Sequence, residues 1–395
     1  MCFNQTRVGL SEINNMTRVA LVTPWPAGQD NVPESGVGNY VKNILSAGSL
    51  NDDVSVICQQ GAVQGNNLLG VDIIECWRPG PGAPFAIYKK LRKLEPDVVH
   101  VQHEFRIFGG IFATAATLIA IRLAMLRRSK LIITVHGVVT RNQMTPALLG
   151  VLGRPKLRAA TRLIFVVYYR LLALISHEII TLHEILQLSL LQEYAVESRV
   201  IHHGLSMMSV DEQIQNRIDA EQPKVLMFGF LSTYKLPEVV LDLAESDLLP
   251  EAHFLIGIGK NPRITGKSYN LRYQSLSQRA QSLGKRGTWL GYLGEEELEY
   301  VLTQASVLVL PYSECIGASG VASRAIAHMP VCYSTALQPL FGPGPLMFEL
   351  NAKSLSIAIQ NSWSVGVGHS NSEFMKSWTM ILEETTKLWR ESVSH

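Results

Sequence analysis

The stretch Val307–Val331, VLVLPYSECIGASGVASRAIAHMPV, decides the fold. It opens on an uninterrupted apolar run, Val307–Leu310, and passes through a loop of small and polar residues. It then enters a helix-length segment, Ser319–Ala327, and ends in a second apolar run, Val331–Tyr333. A strand that is apolar at every position, not at every other one, is covered on both faces. Two such strands joined through a helix read as a parallel pair. The same unit recurs outwards. Upstream lie the helix Glu295–Gln304, the strands Thr288–Leu290, Ala252–Ile258 and Val225–Phe228, and the helix Pro237–Ala244. Beyond a polar stretch, Ser206–Pro223, the alternation runs again, with strands at Val19–Thr23, Val54–Cys58, Val71–Cys76, Val98–Gln102, Leu131–Val135, Glu178–Leu182 and Arg199–His202. Helices fall between them at Asn39–Ala47, Ala86–Leu94, Ile111–Leu126 and Ala159–Ile175. The pattern predicts an α/β protein of two successive doubly wound domains, which bind ligands at the carboxyl ends of their strands.

Composition agrees and narrows the class. A chain of 395 residues exceeds what one core organises, and 47% apolar against 17% charged residues excludes a disordered protein. A formal charge of +2 supplies no global field for a phosphate backbone, so nucleic acid is not expected as a partner. Mean hydropathy of +0.14 raises the question of a membrane. The longest uncharged apolar stretch, Ile107–Ile121, is too short to span one and is interrupted by Gly109-Gly110. Residues 1–15 carry neither a basic start nor an apolar run, and 1–17 read as an extension. The 5 cysteines are scattered with no CxxC pair, which fits a reducing, cytoplasmic setting and supports neither a disulfide framework nor a metal site.

The residues that follow the strands are the candidates for chemistry. Gly36 and Gly38, opening a helix after the first strand, let a backbone approach a ligand beside free N–H groups, or simply form a tight turn. His103 and Glu104 follow the fourth strand, where His100 falls on a different face from His103 and is expected inside the sheet. His136, ahead of Gly137, ends the fifth. Lys235, just after the first strand of the second half, can place a point charge on a phosphate or be a solvated surface lysine. Glu314, Gly317, Ser319 and Gly320 precede the helix at 319, where small residues and a hydroxyl suit an anion cradle, an N-cap, or both. His202-His203 project to opposite sides and hold no metal alone.

Taken in order, RVALVTPWP and SGVGNYVKNIL, EPDVVHVQHEF, LIITVHG, HEIITLHE, RVIHHG, VLMFGFLSTYK, LGYLGEEEL and the 307–331 stretch resemble the retaining glycosyltransferases of family 4 from Arg18 onwards. The resemblance implies a GT-B fold with an acceptor-side domain at 18–205, a nucleotide-sugar domain at 206–370, and a closing helix at 371–395 that crosses back onto the first domain. It implies transfer of a sugar from a nucleotide-sugar donor to a glycan, lipid-linked or small-molecule acceptor, with retention and with no metal or further cofactor. By the same resemblance Lys235 matches the lysine that neutralises the donor diphosphate, Gly36 and Gly38 the loop near the phosphates, and His136 the histidine near the reacting sugar. The segment from Gly317 through Ser319 to Gly320 matches the loop under the donor. The chain departs from the family at the usual arginine (Phe230) and at the glycine after the lysine (Leu236). Of the usual pair of glutamates eight positions apart, Glu314 alone remains, since Ala322 stands eight residues on; counted back from Pro330-Val331, the two positions are Cys315 and Ser323. Those departures keep a second reading open, a non-catalytic relative that binds a partner; a GT-B-shaped isomerase or phosphorylase is a third. Basic residues around an apolar, aromatic helix at 154–176 suit either a core helix with a solvated edge or peripheral contact with the inner face of a membrane.

Overall fold

A computed structural model describes residues 16–26, 36–62, 67–68, 70–105, 107–125, 128–141, 158–205, 222–261, 264, 266–326, 328–364 and 376–394. The extension at 1–15, residues Arg154 and Lys156, and the start of the expected closing segment lie outside these. The first sheet contains β1 (Arg18–Val22), β2 (Asp53–Gln59), β3 (Asn67–Leu68), β4 (Val71–Trp77), β5 (Val98–His103), β6 (Lys130–Val135), β7 (Glu178–Thr181) and β8 (Arg199–Val200). Its order is β3-β4-β2-β1-β5-β6-β7-β8, and only β3–β4 is antiparallel. After β9 (Gly204–Leu205), the second sheet holds β10 (Lys224–Phe230), β11 (His253–Gly259), β12 (Gly287–Trp289), β13 (Val307–Leu310), β14 (Val331–Ser334) and β15 (Met347–Phe348). Its order, β12-β11-β10-β13-β14-β15, is parallel throughout. Both sheets reverse their winding beside their first strand, at β1/β5 and β10/β13, the crevice where such folds take ligands.

The burial of the strands explains their composition. Every residue of β5, β13 and β14 is buried, as strands covered on both faces must be. On the first sheet lie α1 (Gly36–Ser46), α2 (Ala83–Leu94), α3 (Ile111–Ala124), α4 (Arg158–Ile175) and α5 (Glu184–Tyr194). The second carries α6 (Pro237–Glu245), α7 (Lys267–Ser282), α8 (Glu295–Gln304), α9 (Gly320–Ala325), α10 (Gln338–Phe341) and α11 (Ala352–Ser364). Helix α1 already begins at Gly36 rather than Asn39, because first-turn N–H groups need no helical partner and glycine does not obstruct them. Helix α7 gives no sequence signal; of its residues only Leu276 and Ala280 are buried, too few for a helical stripe.

The chain returns through β16 (Lys376–Ser377), which pairs in parallel with β9, and ends in α12 (Trp378–Ser394). Ile381, Leu382, Leu388 and Trp389 of α12 join the buried core of the first sheet, not that of the second. Arg390 holds Asp52 through Nε and Nη2 at 3.2 and 2.8 Å. The closing helix thus crosses back onto the first domain. Among the described residues no helix is long and apolar enough to cross a membrane.

Candidate functional site

The carboxyl ends of the two sheets meet around a cavity of about 260 Å³. Helix α1 supplies Gly36, Asn39, Tyr40 and Asn43 to one wall, and the crossing segments supply His203 and Trp378. The opposite wall comes from the ends of β10 and β11 and from α9, with Gly229, Phe230, Lys235, Ser323 and Arg324. Lys235 and Arg324 are both cationic, and no carboxylate lines this cavity among the described residues. Such a wall favours an anion and disfavours a cation.

Lys235 is held there by its own backbone. Arg272 of α7 grips Glu238 through Nε at 2.7 Å and Nη2 at 2.8 Å, and donates onwards to the carbonyls of Ser232 at 2.8 Å and Lys235 at 2.9 Å. From the other side Leu236 N–H donates to Pro311 O at 2.9 Å. The side chain is 7% exposed, with Nζ 5.2 Å from the centroid of the Tyr312 ring. No hydrogen-bond acceptor or carboxylate pairs with Nζ among the described residues. Burial alone pushes its pKa down to about 8. Gly229 has φ +118, and a Cβ there would stand 2.9 Å from Nζ, so glycine is what lets the ammonium lie along the strand end. The neighbouring Phe230 stacks on Tyr292, centroids 5.6 Å apart.

The facing side is polar but uncharged. His136 Nε2 lies 2.8 Å from Gln102, and its ring meets Tyr40 edge-on at 5.0 Å. Burial, then the neighbouring His203, His103 and His100, hold His136 down to about 3. Burial likewise lowers His100 to about 3 and His103 and His203 to about 4. His100 lies inside the sheet, as expected, and His103 is spent on a hydrogen bond to Tyr168. Tyr40, His203 and Trp378 meet in pairs at 5.2 to 5.5 Å, forming an aromatic wall at the crossing point.

The two halves also touch directly. Val138 N–H donates to Ile316 O at 3.2 Å. A Cβ on Gly317 would overlap the His136 carbonyl oxygen, and one on Gly137 would come within 3.1 Å of Ile316 O. Glycine at both positions is therefore a condition of this contact. Of the residues selected from sequence, Gly36, Lys235 and Gly320 line the cavity. His136 stands behind Tyr40, Gly38 is pressed against the Pro24–Pro26 backbone, and Gly317 faces His136. Ser319 caps α9, its Oγ accepting from Ala322 N–H at 3.2 Å, and Glu314 sits half-buried outside the wall. Tyr40, Trp378 and Arg324 are wall residues that sequence reasoning missed. Arg324 alone left a signal, as a cation inside an otherwise small and apolar helix.

No protein-family model matches the chain, and no curated protein matches it. Solved structures do. Sucrose-phosphate synthase from Thermosynechococcus elongatus superposes with a TM-score of 0.72 at 17% identity, over 94% of this chain and 98% of that one. HepE from Anabaena, in complex with UDP and glucose, gives 0.65 at 14% identity, over 95% and 99%. The catalytic domain of starch synthase IV from Arabidopsis thaliana, bound to ADP and acarbose, gives 0.64 at 12% identity, over 96% and 100%. The fold is GT-B. The cavity just described occupies the cleft between the two facing domains of that GT-B fold.

Proposed function

We propose that the chain is a glycosyltransferase of hexosyltransferase type, moving a sugar from a nucleotide-sugar donor to an acceptor with retention and without a metal. The observation that carries this is Lys235, a buried ammonium that has no anionic partner among the described residues, in a cavity that Arg324 also lines and that none of the described carboxylates lines. A buried cation left unpaired is costly, and a diphosphate entering the cleft relieves that cost. As the bond from the sugar C1 to the diphosphate oxygen breaks, the electron pair leaves with the diphosphate. The fixed ammonium stabilises that charge as it develops. The acceptor hydroxyl attacks from the same face, and its proton passes to the departing phosphate, so no carboxylate nucleophile is required. Among the described residues no carboxylate lines the cavity, so neutralisation of the diphosphate falls to Lys235 and Arg324.

Gly36 and Gly320 are assigned to the approach of the phosphates, with Gly38, Gly317 and Ser319 shaping the two loops behind them. His136, packed behind Tyr40, is assigned to the reacting sugar, and Glu314 is the carboxylate nearest in sequence to the donor loop. Products of this reaction belong to glycan, polysaccharide or glycoconjugate biosynthesis. A panel of UDP-, GDP- and ADP-sugars read by thermal shift tests the reading. A donor at a hundredfold excess over its Kd raises stability by about 2.7 kcal/mol. If no nucleotide sugar moves the melting temperature, the proposal is wrong. One observation favours the other reading, a partner-binding relative without turnover: Phe230 stands where family 4 has an arginine and is occupied in stacking on Tyr292. Calorimetric binding of a nucleotide sugar by a chain that then fails to transfer its sugar would select it.

We further place the enzyme at the inner face of a membrane. Helix α4 turns Phe165, Tyr168, Tyr169 and Leu172 into the core. It exposes Leu163, Val167 and Leu174 at 63%, 59% and 83%, the first two between exposed Arg162 and Arg170 and the third one turn beyond. The packed neighbour α3 exposes Phe112 and Leu123. An apolar stripe edged by arginines fits an anionic leaflet and brings a lipid-linked acceptor within reach. Flotation with anionic liposomes at low salt tests this; protein left at the bottom of the gradient refutes it.

A further inference from the structure

A buried chain of polar groups joins the closing helix to the cleft. Trp389 Nε1–H donates to His100 Nδ1 at 3.1 Å; His100 Nε2 lies 2.8 Å from Thr134 Oγ1 and 3.3 Å from Gln102 Nε2, and Gln102 Oε1 lies 2.8 Å from His136 Nε2. Trp389, His100, Gln102 and Thr134 are all buried. Their protons can be assigned from the end of the chain. An indole only donates, so His100 Nδ1 is bare, and the neutral imidazole carries its proton on Nε2. That Nε2–H donates to Thr134 Oγ1. An amide nitrogen facing it would set donor against donor at a buried position. The Gln102 amide is therefore assigned the flipped orientation, its oxygen toward His100 and its nitrogen toward His136, since the two ends of an amide are distinguished by their network and not by their shape. The amide N–H then donates to His136 Nε2. A neutral His136 is left with its proton on Nδ1, a donor with no partner among the described residues.

We propose that Trp389 is a positioning residue: acting through His100 and Gln102, it fixes His136 as the neutral Nδ1–H tautomer and so makes it a hydrogen-bond donor to the sugar bound in the cleft. The catalytic part of this rests on the glycosyl-transfer reading; the tautomer does not. The order of events reverses the usual one, since a residue at the end of the chain dictates which nitrogen is protonated near its middle.

Long-range proton–nitrogen NMR of the full chain, with its 11 histidines labelled and His136 identified by its loss in His136→Gln, reads the tautomer without any ligand. The expected result is a protonated Nδ1 and a bare Nε2 at His136. In Trp389→Phe, His100 Nδ1 is released and His136 shifts to a mixture of tautomers. Gln102→Glu, whose carboxylate only accepts, drives His136 to the Nε2–H form and serves if the tryptophan variant does not fold. A wild-type His136 protonated on Nε2 overturns the proposal, as does a His136 spectrum unchanged in folded Trp389→Phe or Gln102→Glu. With a donor sugar identified, Trp389→Phe lowers kcat about tenfold, the worth of one lost hydrogen bond, and leaves the donor KM within about twofold. Failure of every nucleotide sugar to bind would instead sink the transfer reading and leave the tautomer result standing.

Discussion

The two halves of the cleft share a parallel six-strand order, to which the first sheet adds β3 and β8, and they solve opposite problems. In the first domain the polar groups around His136 are linked by hydrogen bonds through Gln102 and His100 and stay uncharged, with burial holding four histidines at about 3 to 4. In the second, a glycine at the end of β10 makes room for an ammonium that no acceptor meets among the described residues. One side meets a ligand with neutral groups; the other meets it with a buried positive charge. A shared central topology therefore does not imply interchangeable roles. The division between them is made by a handful of side chains at the strand ends.

The sharpest way to break that contrast is Lys235→Met. Donor turnover should fall by at least about 10²-fold, the loss of a transition-state contact, while the empty protein gains on the order of 2 kcal/mol and melts higher. A variant that loses turnover and stability together would mean the lysine is structural. Next, Gly317→Ala places a methyl group against the His136 carbonyl. Overpacking of this kind costs about 1–3 kcal/mol, here charged to the closed arrangement. Donor kcat/KM should drop by about tenfold or more, with each domain's own packing retained; unchanged kinetics would show that the contact plays no part in turnover.

A pH series tests the charge itself. With Lys235 near 8, the folded chain releases a proton that the unfolded chain keeps up to the ordinary lysine value of 10.5. The unfolded state thus binds more protons through that window, and the stability of the empty protein rises with pH across it. Nucleoside diphosphate affinity moves the other way, falling about tenfold between pH 7 and 9 as the ammonium is lost. Calorimetry and melting curves on the same samples check both signs. The smallest effect is expected from Asn43→Asp, which puts a carboxylate on the neutral wall opposite the cations. Its field should weaken diphosphate binding by about fivefold, roughly 1 kcal/mol, and less at high salt.

The sheets were legible because their strands are apolar at every position, a pattern that survives without neighbours in space. Lys235 was legible because it follows a strand directly. Tyr40 and Trp378 were not: they belong to the first and last helices and meet only because β16 pairs with β9. Arg272, which fixes Lys235, lies in a helix whose polar surface reads as solvent-facing. Nor does any spacing announce that Trp389 ends up on His100. Such partners are set by how the chain closes on itself, not by local periodicity.

That closure has a consequence for how the protein is made. Ile381, Leu382, Leu388 and Trp389 complete the first core but leave the ribosome after the whole second domain. At about 5–20 residues per second, synthesis from Leu205 to Trp389 takes on the order of 10–40 seconds. Throughout that interval the early strands stand without the indole that His100 accepts from and without the leucines that cover them. The domain translated first is the one that finishes folding last.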